Sequence, residues 1–261
     1  MKKTDFLLLK KWFSTHVAGF YRGDPVYDEP LILKEKHTER VCGIIDAIGR
    51  GMGMDQTAMP MARTIALLHD IGRFIQYETH QTFNDDISRN HAVLGLSEIA
   101  RHKALAGVEK TEKKIILTSI FYHNAAALPK LDETSLFFAK LIRDADKLDI
   151  LAIFADYYPH RARRPNPVIE LNLPDEPGYC RKILSDISQK KSALKKDVKT
   201  LNDFKLLQIS WVFDLNFPPS FQILEQSRLI EKIEAELPRT DDIKEAMKTV
   251  FSHIKQNRSA P

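Results

Sequence analysis

Apolar residues in this chain recur mostly at helical spacing rather than in strand-like alternation, and that period restricts the fold to packed helices. Val41, Ile44, Ile45 and Ile48 form a stripe on a helix expected to begin near His37 and to end at Gly49, Gly51 and Gly53. A second helix is expected from Pro60, a residue suited to a first helical turn; it carries Ile65 and Leu68 and stops near Gly72. Residues 76–90 are polar and aperiodic and read as a loop, with Ser88 as the candidate N-cap of a helix over 91–104. Helical spacing returns over 113–127, where Ile116, Ile120 and His123 share a face, and again over 135–154. In the latter segment Leu141, Ala145, Leu148 and Ala152 lie on one side and Ala139, Arg143, Asp146 and Ile150 on another.

Between 157 and 178 stand five of the 13 prolines (Pro159, Pro165, Pro167, Pro174 and Pro177), which makes a boundary or a long surface loop the expectation there. Helices are expected to resume over 181–201, a Lys-rich amphipathic stretch, then over 206–215, 221–237 and 243–255, before a short polar tail at 256–261. No internal repeat or low-complexity tract interrupts this order.

A chain of 261 residues with 43% hydrophobic composition buries a substantial core, as one large domain or one domain with a helical extension. Its net charge of +4 suits an anionic substrate but falls far short of a nucleic-acid-binding footprint. Cys42 and Cys180 stand far apart, with no CxxC or Cys/His cluster, and read as small buried hydrophobes. After Lys2 and Lys3 the apolar run covers only Phe6 to Leu9, too short for a signal segment, and no run approaches a membrane span. A cytoplasmic, non-membrane protein is the expectation.

Of the nine histidines, His16, His80, His102, His160 and His253 have no organised company in the sequence. The pair His69 and Asp70 differs, because it ends an apolar helix, where an uncompensated charge is costly and a bound cation would offset the cost. His37 opens another apolar helix, His91 heads a third, His123 lies on the face of a fourth and Asp146 is embedded in a fifth. Facing helices of bundles assemble metal sites in this way. For His91 the plain alternative is a helix cap, and for His123 a hydrogen-bonded core residue. The donors are nitrogen and oxygen without thiolate, which suits Mn, Fe, Ni, Co or Zn better than calcium. Six donors exceed what one catalytic ion that keeps water can use and match two.

The segments "KEKHTERV" (34–41), "ALLHDIGRF" (66–74), "NHAVLG" (90–95), "YHN" (122–124) and "IRDADKLDI" (142–150) resemble the HD-domain superfamily of metal-dependent phosphohydrolases over about residues 20–155. The resemblance implies an all-α HD-domain helical bundle, here with a C-terminal helical extension, and one or two divalent transition-metal ions as cofactor. It implies His37, His69, Asp70 and Asp146 as ligands, with His91 and His123 added in the two-metal members, where Asp70 bridges the ions. Asp146 is preferred to Asp144 because Ala145, Lys147 and Leu148 reproduce the family's context for its last ligand; Asp144 and Asp149 are then supporting or surface residues.

Arg73 and Lys147 follow proposed ligands closely and are the expected phosphate partners, whereas the Arg161, Arg163 and Arg164 cluster reads as a solvated loop. Thr82, Phe83, Asn84, Asp85 and Asp86 either shape a substrate pocket or form an ordinary surface loop. The expected activity is hydrolysis of a phosphorylated small molecule such as a nucleotide, with Asp70, His69, Arg73 and Lys147 at the reacting groups. Its rivals are a di-iron oxygenase with the same ligand order and a non-catalytic nucleotide-binding sensor. The expected organisation is an HD domain with an N-terminal helix over 1–158, a Pro-rich loop over 159–178 and a helical extension over 179–261 packed on that domain. The extension is available to a partner or a homodimer.

Overall fold

The helical period is realised as twelve α-helices and three 3₁₀ turns, with no strand among the described residues. The computed structural model describes residues 3–163, 165–166 and 169–259; of the residues discussed above, Lys2, Arg164, Pro167 and Pro261 lie outside these. The chain divides into two compact units, Met1–Asp146 and Lys147–Pro261.

The first unit contains α1 (Lys3–Ala18), α2 (Pro25–Gly51), α3 (Met59–Leu68), α4 (Gly72–His80), α5 (His91–Arg101), α6 (Lys110–Tyr122) and the start of α7 (Glu133–Tyr157). Every residue of α3 except Arg63 is buried, and this helix packs against α1, α2 and α6. Burying it on all sides explains why its sequence is apolar all round.

α2 starts a dozen residues before the expected point. Asp24 caps it by accepting from the Val26 N–H at 3.0 Å, and Pro25 supplies the preset first turn. The segment expected to be a loop from residue 76 is helical as far as His80, and Gln81 then ends α4 in the left-handed region at φ 52°. Gln76 disguised this helix: it is fully buried, and its amide nitrogen lies 2.8 Å from Asp85 Oδ1, Ser88 Oγ and Arg89 O. Ser88 is thus not the cap of α5; Asn90 takes that place, accepting from the Ala92 and Val93 N–H groups.

α4 and α5 cross with almost no space between their backbones. A Cβ on Gly72 would lie 2.1 Å from His91 O and 2.4 Å from Gly95 N, so only glycine fits. The contact sets the start of α4, immediately after His69 and Asp70, against the first turn of α5, where His91 stands.

In the second unit the end of α7 leads into a 3₁₀ turn (Tyr158–Arg163), followed by α8 (Arg181–Ser188), α9 (Leu201–Ser210), α10 (Pro218–Gln226), α11 (Leu229–Glu234) and α12 (Asp241–Asn257). All ten residues of α9 are buried, polar ones included. Lys205 donates to Glu236 O at 2.7 Å, Gln208 accepts from the Tyr158 hydroxyl at 2.8 Å, and Asp203 closes a capping box with Thr200.

The expected helix over 181–201 breaks after Ser188, with Lys190 left-handed at φ 56°, and the Lys-rich part is loop and a 3₁₀ turn (Lys195–Asp197). The expected helix over 206–215 begins earlier, at Leu201, and passes into a 3₁₀ turn at Trp211–Asp214. The expected helix over 221–237 is two, separated by Arg228 at φ 51°. Cys42 and Cys180 are only partly buried, and neither forms a disulfide. No helix among the described residues is long and apolar enough to cross a membrane.

The Gly72 contact generates a test of this packing. Gly72→Ala places a methyl group against backbone atoms that have no flexible side chain to yield, and should destabilise the fold by about 3 kcal/mol or more. An unchanged melting temperature would show that α4 and α5 do not approach in this way.

Candidate metal centre

Four helix ends and two helix interiors deliver the six expected donors. His37 lies within α2, His69 and Asp70 occupy the break between α3 and α4, His91 opens α5, His123 follows α6, and Asp146 lies within α7. All except Asp146 are at least 97% buried, and the Asp146 side chain is 17% exposed.

Asp70 organises them. Its Oδ2 lies 3.5 Å from His37 Nε2 and 3.9 Å from His69 Nε2, while its Oδ1 lies 3.2 Å from His91 Nε2 and 3.7 Å from His123 Nε2. Asp146 Oδ1 joins the first group, 3.1 Å from His37 Nε2 and 3.7 Å from His69 Nε2. The donors therefore form two buried groups, His37–His69–Asp70 and Asp70–His91–His123, that share one carboxylate.

The far side of three imidazoles fixes their tautomers. His69 Nδ1 donates to Ala66 O at 2.7 Å and His123 Nδ1 donates to Ile120 O at 2.6 Å, because a carbonyl only accepts. His91 Nδ1 donates likewise to the Asp85 carboxylate at 2.7 Å. In a neutral ring each Nε2 then carries a lone pair. Yet His91 Nε2 and His123 Nε2 stand 2.9 Å apart, and His37 Nε2 and His69 Nε2 stand 3.3 Å apart. At His91 and His123, where both tautomers are fixed, the facing lone pairs repel unless positive charge lies between them, so the donor set fits divalent cations.

The charge states agree. Burial and the nearby Arg73 guanidinium push the His91 pKa down to about 3, which keeps its ring neutral. Burial alone would raise the Asp70 pKa, but Lys34, His69, Arg73 and His123 together hold it well below the carboxylate range. At Asp146 burial is likewise outweighed by His37 and His69, and at Asp85 by His91 and Arg73.

Two further residues at the centre carried no signal of their own. Lys34, one turn before His37, donates to Asp70 Oδ2 at 2.9 Å. Asp85 orients His91 and also accepts from Arg73 Nη1 at 3.0 Å and from Gln76. Of the loop that offered two readings, Phe83 O also accepts from Arg73 at 2.6 Å, and the Phe83 ring lies beneath the Lys34 ammonium. Arg73 Nε approaches Asp70 Oδ1 at 3.5 Å and has no hydrogen-bond partner of its own.

Lys147 is paired with Asp214 at 2.8 Å, and Arg161 is held by Glu170 and Asp175. Asp144 and Asp149 are both buried, which removes the surface alternative for them. Buried Arg143, on α7, donates to the carbonyls of Tyr122 and His123, each at 3.2 Å, and so fixes the end of α6 that presents His123.

Helices only among the described residues, with two His/Asp groups sharing a buried carboxylate, make a helical domain equipped with the donors a metal ion needs. Residues 35–151 match the family model of the HD domain, the superfamily of metal-dependent phosphohydrolases that the motif order resembles. Searches of the curated proteins and of the solved structures returned no significant match.

The Asp85–His91 hydrogen bond generates a second test. Asp85→Ala frees the His91 ring and leaves its donor proton unpaired, and should weaken metal binding by about 10- to 100-fold, measured by competition with a chelator. Equal affinity in variant and parent would show that His91 does not depend on Asp85.

Proposed function

We propose that this chain is a two-metal phosphohydrolase acting on a phosphorylated small molecule, with a nucleotide as the first class to try. The observation that carries the reading is the division of donors by Asp70, one oxygen toward His37 and His69 and the other toward His91 and His123. In it, His37, His69, Asp70 and Asp146 hold one ion, and His91, His123 and Asp70 hold the other. Bound divalent ions of the Mn, Fe, Co, Ni or Zn class supply Lewis-acid charge and lower the pKa of a water molecule.

The chain's own contribution is charge and order. Lys34 and Arg73 both reach Asp70, so an incoming phosphoryl group would meet an ammonium and a guanidinium beside the ligands. Such positive side chains stabilise the charge that develops in phosphoryl transfer, which supports the hydrolytic reading. Arg73 is itself held by Asp85, Gln76 and Phe83, which fixes where its fork points. Lys147 would have to give up Asp214 to bind a phosphate, so Lys34 and Arg73 have the stronger claim.

Cleavage of phosphomonoesters, phosphodiesters and nucleotides, followed as released phosphate or as the monoester formed from a diester and assayed with each metal in turn, tests the reading. Turnover should require metal, vanish in Asp70→Asn with helical content retained by circular dichroism, and fall about 100-fold in Lys34→Gln. Fully metal-loaded protein that cleaves none of these classes, or that consumes oxygen instead, would overturn it.

A further inference from the structure

Outside the centre, a second group of metal-type donors forms where the end of α1 meets the end of α5. Glu98 and His102 are one helical turn apart, and His16 approaches them from α1. One carboxylate oxygen, Glu98 Oε2, lies 3.5 Å from His16 Nε2 and 3.5 Å from His102 Nε2. All three donor atoms fall within 4.8 Å of one another. Bonds of about 2.0–2.2 Å in a tetrahedral zinc site put neighbouring donors about 3.3–3.6 Å apart, so the observed spacing needs little adjustment.

His16 Nε2 is the independent sign that a ligand belongs here. The His16 side chain is only 8% exposed, and its Nε2 is buried with no hydrogen-bond partner although it faces the Glu98 carboxylate. A buried imidazole nitrogen left in this way costs free energy that a bound ion would recover. Trp12 stacks on the His16 ring at 4.9 Å and 16°, holding it in place.

The surroundings allow entry. His102 is 38% exposed, and a cavity of about 280 Å³ opens beside it, bordered by Asp5, Leu9, Trp12 and Leu105. Arg101 Nη2 now sits 2.8 Å from both Glu98 oxygens, but the Arg101 side chain is 61% exposed and can keep Oε1 while Oε2 turns to an ion.

We propose that His16, Glu98 and His102 form a separate mononuclear site for a zinc-class divalent ion, which fastens α1 to α5. Two imidazoles and one carboxylate with an exposed fourth position suit Zn²⁺ or Co²⁺ rather than a purely oxygen-binding cation. None of the three residues belongs to the centre around Asp70, so the proposal stands whether or not that centre hydrolyses phosphoesters.

The test uses the full chain, stripped with a chelator and reloaded with Zn²⁺ or Co²⁺. His102→Gln, at a partly exposed position, should retain the fold by circular dichroism and bind about one zinc equivalent fewer than the parent by elemental analysis. Glu98→Gln should show the same loss. Because Trp12 stacks on His16, Co²⁺ should quench part of the tryptophan emission of the parent in a saturable way, and that part should be missing from both variants. Equal zinc content and equal quenching in parent and both variants would overturn the proposal.

Discussion

A carboxylate that stays ionised while 98% buried is the constraint on which the first unit turns. Removing Asp70 from water costs several kcal/mol unless its surroundings repay it. The Lys34 ammonium and the Arg73 guanidinium do so, and four imidazoles converge on the same two oxygens. The partners come from α2, from the junction of α3 and α4, and from the ends of α5 and α6, so the cluster forms only when these helices are all in place. The same arrangement splits the donors into two groups, because a carboxylate has two oxygens and the helices approach it from two directions.

The six expected donors were legible because they interrupt apolar helical stripes, where an imidazole or carboxylate needs a reason to be present. His69 and Asp70 end a helix that is otherwise apolar, and their order with His37, His91, His123 and Asp146 is specific even though each piece is weak. Lys34 and Asp85 were harder to see. A lysine on a helix and an aspartate in a polar loop look like surface residues until the fold turns one toward Asp70 and the other toward His91. His16 and His102 stand 86 positions apart in the chain, and only the packing of α1 near α5 gives them company. The Glu98/His102 pair at one-turn spacing was the sole local trace.

Helix ends followed the same logic. α2 had its start signal in Asp24 and Pro25, upstream of the residues whose stripe drew attention. α4 was hidden because buried Gln76 spends its polarity on a loop rather than on solvent. The breaks after Ser188 and at Arg228 are made by Lys190 and Arg228 in the left-handed region, a conformation no side-chain pattern announces. Sequence periodicity reports which face a helix buries; it says much less about where tertiary contacts end the helix.

The crossing of Gly72 and Gly95 makes the alignment of His69 and Asp70 with His91 a property of the main chain. Side-chain packing can be tuned in increments of a methyl group, but two backbones already in contact have no nearer or looser neighbouring state within reach of a single substitution. The relative placement of the two donor groups is therefore inherited as a fixed distance. Any divergence in chemistry on this scaffold has to come from the residues that surround the donors, such as Lys34, Arg73 and the loop carrying Phe83 and Asp85, while the frame beneath them stays the same.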